Sequence, residues 1–273
     1  MAYNFEKIGK NAIGLLDYFA SLTSLVYYSI IELFKRNRKG RKFIWNITRM
    51  QILFTGYDAL PLVGTIAVII GGLLIVIAAT GARALGQAQI VNALITILIR
   101  EVGPIMVAII VVARSGTAIV IEIGNMTVNH ELEAIETLGI DPLRFIVLPR
   151  IIGMMISIMT LVIYFGLFGL FGGFAVQLLV GSMNIPGIQL DAMTFQEFFR
   201  IFFSVFTVGD VLIILVKSII LGAYVSVICL YHGFKVGNTP TMVPVAAIKA
   251  VVNSFLFTFG INLALTGIFL SVS

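Results

Sequence analysis

Apolar runs of membrane-spanning length recur along this chain, separated by short polar loops, and that pattern removes soluble folds from consideration. A spanning helix needs about 20 apolar residues, because the hydrocarbon core is about 30 Å thick and a helix rises 1.5 Å per residue. Every backbone polar group in lipid must be satisfied internally, which leaves helices or closed barrels. The strict alternation of barrel strands is absent. The expected fold is therefore all-α: a polytopic membrane bundle of five transmembrane helices preceded by amino-terminal amphipathic or interfacial helices. Composition agrees, since 59% of the 273 residues are hydrophobic and 11% charged and mean hydropathy is +1.08, far from soluble norms.

The expected spans are 59–80, 90–121, 145–180, 198–231 and 244–270. Ahead of them, 12–34 reads as an amphipathic helix, KRNRKGRK at 35–42 fixes that end in the cytoplasm, and 43–57 lies in the interface with Trp45 as anchor. No cleavable signal is expected, because Glu6 and Asp17 interrupt the region where one would stand. The loop 181–197 carries Asp191 and Glu197 but no basic residue, as an outer loop should. The chain divides into an interfacial segment, 1–57, and a permease-like body, 58–273, with the amino terminus inside and the carboxyl terminus outside. Gly64, Gly71 and Gly72 in the first span, and Gly166, Gly169, Gly172 and Gly173 in the third, allow close helix contacts.

Several chemistries are excluded. Cys229 stands alone, and His130 and His232 are too far apart for metal-ligand spacing, so no metal site is expected. No nucleophile, base and acid set of a hydrolase is visible, and no catalytic residue is assigned. GARALGQ at 81–87 has P-loop glycine spacing but Gln87 where the lysine belongs, so the chain does not bind or hydrolyse ATP by itself. The net charge of +5 comes mostly from one basic cluster, which bears on topology and anionic lipid rather than nucleic acid.

Ionisable residues inside membrane-length segments are costly and point to function. Arg100 and Glu101 lie in the second span and Asp210 and Lys217 in the fourth. Neighbours on a helix point about 100° apart, so Arg100 and Glu101 need partners elsewhere. Counting rise pairs Arg100 with Asp210 and Glu101 with Lys217, either as a purely structural contact or as the lining of a polar cavity. Arg114 reads as an interfacial, snorkelling residue.

Between the second and third spans lies a short amphipathic helix, about 127–139. Val128, Leu132 and Ile135 recur at helical spacing, Thr127 or Asn129 can cap its start, Glu131 and Glu133 suit its dipole, and Gly139 with Pro142 ends it. With Glu131, Glu133 and Glu136 and no Lys or Arg, it is built for a protein groove rather than a bilayer surface. The alternative is an ordinary loop that happens to be helical.

The run REVGPIMVAIIVVARSGTAIVIEIGNM followed by LEAIETLGIDPLRFIVLPR, with Gln51, Gly56, Leu60 and Pro61 before it and Asp210, Lys217, Ser218, Asn262, Leu265 and Thr266 after it, resembles the MlaE-type permeases. These are the membrane subunits of MCE-associated ABC transporters, which move lipids between the inner and outer membranes of diderm bacteria. The resemblance spans about 45–270 and implies a homodimer around a lipid-accepting cavity, an ATPase subunit that binds ATP and magnesium, a periplasmic ring of MCE proteins and an inner-membrane location. By position it implies an ATPase-coupling helix of Asn129, His130, Glu131, Leu132, Glu133, Ile135, Glu136 and Leu138, and a substrate cavity with Arg100, Glu101, Asp210 and Lys217. The family usually has Thr-Glu-Gln where Asn129, His130 and Glu131 stand, and an acid in some members where Asn262 stands. The expected function is phospholipid transport by an ABC permease; a proton-coupled secondary transporter and a non-transporting scaffold are the alternatives.

Overall fold

The computed structural model describes residues 20–24, 27, 41–85, 93–182, 196, 200 and 208–272, and all regular structure among them is helical. Five helical stretches are long and apolar enough to cross a membrane. The chain is a multi-pass α-helical membrane protein. Most of the expected 12–34 helix, the basic cluster up to residue 40, residues 86–92 and most of the expected outer loop, with Asp191 and Glu197, lie outside the described residues.

The first element, α1 (Arg41–Thr55), is amphipathic in a way suited to lipid. Its exposed face carries Phe43, Trp45, Met50 and Leu53, while the buried face is polar: Thr48, Gln51 and Thr55. Gln51 donates to the Thr55 hydroxyl at 2.7 Å, which satisfies both groups away from water. A 3-10 turn, Tyr57–Ala59, leads into α2 (Leu60–Leu85), where Pro61 costs nothing because first-turn amides have no helical acceptor.

The second span, α3, runs Ala93–Val128, seven residues past its expected inner end at 121. It alternates α-helix with π-helical segments at Leu98–Val102 and Val112–Gly116. The short helix α4 covers Glu131–Thr137. The third span, α5, opens with a π segment, Leu143–Val147, and continues as Leu148–Ser182. The fourth, α6, is Val208–Phe234, and the fifth, α7, is Met242–Val272.

Glycine decides how α2 meets α5. A Cβ on Gly172 would lie 2.5 Å from the Val68 Cα and carbonyl oxygen, and one on Gly71 would strike the Gly169 backbone. The two backbones touch, as the glycine spacing predicts. α5 also packs on α1, α3 and α6, while α7 closes the other side against α3 and α6. Val111, Ile119, Ile158, Phe165, Leu221 and Ile228 fill the centre.

Candidate functional site

A polar cluster lies where α3, α6 and α7 meet. Arg100 pairs with Asp210, and Glu101 pairs with Lys217 at 2.8 Å, the two pairings that helical rise predicts. Lys217 is 1% exposed, whereas the Arg100 side chain is 38% exposed. Each pair thus joins a buried member to a partly exposed one, since Asp210 is 7% and Glu101 31% exposed.

α7 supplies a third wall. Asn262 donates to Glu101 Oε2 at 2.8 Å and Thr266 to the same oxygen at 2.9 Å. Lys217 Nζ reaches the Thr266 hydroxyl at 2.8 Å and the Arg100 carbonyl at 3.3 Å. That last bond has a cause in the sequence. Pro104 has no N–H to offer the carbonyl of residue 100, so the helix leaves that oxygen without its ordinary donor and Lys217 takes the place. The π segment Leu98–Val102 ends two residues before Pro104, and Leu143–Val147 ends two residues before Pro149. The same disruption of the hydrogen-bond ladder accompanies each, and π segments gather at functional sites. Two buried atoms near this wall have no hydrogen-bond partner among the described residues: Asn262 Oδ1 and, one turn earlier, Thr258 Oγ1.

The roles of Asn262 and Thr266 as partners of Glu101 are not readable from spacing within the second and fourth spans. Their signal is the i, i+4 spacing that puts two polar side chains on one face of the fifth span.

The other predicted group lies elsewhere. From Glu101 to Asn129 is about 42 Å along α3 at 1.5 Å per residue, so the α4 residues stand at the end of the bundle. No residue of α4 is buried, and Leu138 beyond it is 76% exposed. Both its ends are set by left-handed residues, His130 at φ 57° and Gly139 at φ 74°. Gly139 and Ile140 donate to the Glu136 and Ile135 carbonyls at 2.9 and 3.2 Å, a Schellman stop.

The start of α4 corrects the sequence expectation. Neither Thr127 nor Asn129 caps it: His130 is the residue before the first turn, with no side-chain cap bond. Thr127 still lies in α3, whose i−4 carbonyl is available, and bonds to the Ile123 carbonyl at 2.8 Å and to the Gly233 carbonyl at 3.4 Å. Asn129 bonds to Glu131 at 3.3 Å, and His130 Nδ1 lies 3.1 Å from Glu133.

Two arginines tie α1 to this end. Arg150 of α5 bridges Glu122 of α3 and Gln51 of α1, the latter at 2.6 Å. Arg114 pairs with Asp58 at 3.4 Å, donates to the Phe54 carbonyl at 3.2 Å and sits over the Phe54 ring.

The sequence pattern of the family described as Permease MlaE matches residues 48–268. The chain belongs to the MlaE permease family. Among its relatives, a probable ABC transporter permease protein of Rickettsia prowazekii is 31% identical, over 81% of this chain and 82% of the relative. One from Rickettsia bellii is 30% identical over 98% and 93%. The intermembrane phospholipid transport system permease protein MlaE of Haemophilus influenzae is 26% identical over 98% of both chains. The MlaE match encloses both the charged cluster and α4, so the two sites belong to one family unit.

Proposed function

We propose that this chain is the membrane subunit of an ABC transporter that moves glycerophospholipid between the inner and outer membranes of a diderm bacterium. A separate ATPase, which binds ATP and magnesium, docks on α4. Residues 58–273 form the permease body, two copies make a homodimer, and an MCE-protein ring sits on the periplasmic side. The body lies in the inner membrane with the α4 end cytoplasmic.

The observation that carries this reading is α4 itself. It is an acidic helix with no buried residue, fixed at both ends by left-handed residues, in a chain of the MlaE permease family. A helix held rigid at its ends and empty on its surface transmits force to α3 when a partner grips it. Some 42 Å further along α3, the half-exposed Arg100 offers a guanidinium to a lipid phosphate, a planar donor that suits that group.

The test is reconstitution of the chain with its ATPase and MCE partners, isolated by crosslinking in the native membrane, followed by assay of phospholipid transfer. Arg100→Ala is expected to lower ATP-dependent transfer at least tenfold with the complex intact. Transfer that proceeds without the ATPase and follows a proton gradient would overturn the proposal in favour of secondary transport.

A further inference from the structure

Among the described residues, one lysine of the fifth span stands outside the ion pairs. The ion pairs described above account for Arg100, Glu101, Arg114, Glu122, Arg150, Asp210 and Lys217. Lys249 of α7 is exposed and makes no ion pair with any described residue. Its position makes this costly. Val245, Val252 and Leu256 flank it at i−4, i+3 and i+7, all exposed, so the ammonium stands on an apolar stripe facing outward from the bundle.

The surroundings are basic and polar. Asn253, one turn further along the same face, bonds to His232 of α6 across 3.0 Å. Lys235, one turn after His232, donates to the Tyr231 hydroxyl at 3.0 Å and lies over that ring. Lys235 and Lys249 both lie within electrostatic reach of His232. Lys249 is about 10 Å from the start of α7. In a helix longer than the hydrocarbon thickness, that is the depth from which a lysine stem reaches the phosphate level. The end in question is the one that carries α4, because Gly124 of α3 packs against Val236 and Val243.

We propose that Lys249 and Lys235, seated between α6 and α7 with Asn253 and His232, bind the phosphate of an anionic phospholipid whose acyl chains lie along the Val245–Leu256 stripe. The apolar flanks favour a lipid over a soluble phosphate or an acidic protein segment, since neither of those would cover Ile248, Val252 and Leu256. The site is about 20 Å along α7 from Asn262, which separates it from the Arg100 cluster. It requires only that the chain be embedded in a bilayer, not that it transport lipid.

The experiment is native mass spectrometry of the full chain released from nanodiscs of phosphatidylethanolamine containing one fifth phosphatidylglycerol. Phosphatidylglycerol should be retained selectively. Lys249→Gln with Lys235→Gln should reduce retention at least tenfold while Lys249→Arg preserves it, and monodisperse elution of each variant shows that it is folded. Arg100→Ala should leave retention unchanged, so failure of the transport reading and failure of this one are distinguishable. Equal retention in the double glutamine variant would overturn the proposal. So would displacement of the lipid by millimolar inorganic phosphate, which would assign the site to a free anion, or protection of Lys249 from amine-reactive labelling only when a protein partner is bound.

Discussion

The seam between α2 and α5 and the seam joining α3 to α6 and α7 solve the same problem with opposite materials. The first is made of absence: Gly71 and Gly172 remove side chains so that backbones touch. The second is made of charge, with Glu101, Lys217, Asn262 and Thr266 holding three helices by hydrogen bonds. Lipid tails are as apolar as leucine, so burial of apolar surface gives little reason for helices to associate, and close packing or polar bonding must supply it. A glycine seam has one good geometry and resists movement. A seam of charges holds its partners at the ends of flexible side chains, so it tolerates displacement and can exchange one partner for another. The bundle thus has a stiff half beside an adaptable half.

The largest expected effect breaks the adaptable half. Glu101→Gln leaves the Lys217 ammonium, 1% exposed, without its counter-charge, and removal of one member of a buried pair costs about 3–5 kcal/mol. Unfolding in mixed detergent micelles would read the loss. Adding Lys217→Met should return most of it. Transport in that double variant then sharpens the contrast: a folded but inactive protein makes the charges functional, and a folded active one makes them a fastener.

Gly172→Ala strikes the stiff half, placing a Cβ 2.5 Å from Val68 backbone atoms. Overpacking of that kind costs about 1–3 kcal/mol, and no second substitution on α2 should recover it, because the obstacle is main chain. A change in crosslinking between cysteines placed on α2 and α5 would follow the separation of the helices. The smallest effect belongs to Thr258→Val. The Thr258 hydroxyl is buried without a hydrogen-bond partner among the described residues, so its loss should change stability by less than about 1 kcal/mol and towards greater stability. A clear loss in the same unfolding assay would mean that the hydroxyl holds a bond through water to Asn262.

The spans were legible because a bilayer imposes a length, and the two pairs because rise per residue converts sequence number into depth. Arg100 and Asp210, and Glu101 and Lys217, could be matched by counting alone. Counting failed where a bond departs from regular helix. Thr127 was misread as a cap because the sequence has no mark where α3 ends, while His130 ends it by adopting a left-handed backbone at a residue that could equally continue the helix. The Asp58 partner of Arg114 was not legible because Asp58 stands in a turn whose fold against α3 depends on packing far away in sequence. Pro104 was visible throughout, yet its consequence, a carbonyl released to Lys217, appears only when a cation from another span is brought beside it.

The π segments have a consequence for how such a chain can change over evolutionary time. Each holds a surplus residue relative to an α-helix of the same rise. Loss of one residue within Leu98–Val102 or Leu143–Val147 can therefore be absorbed by relaxing that turn to α geometry. The same loss in α6 or α7 would rotate everything beyond it by about 100° and swing its buried face into lipid. The spans that flank α4 are thus the ones in which a single-residue deletion can survive, and lineages of this chain should differ in length there before they differ elsewhere in the membrane.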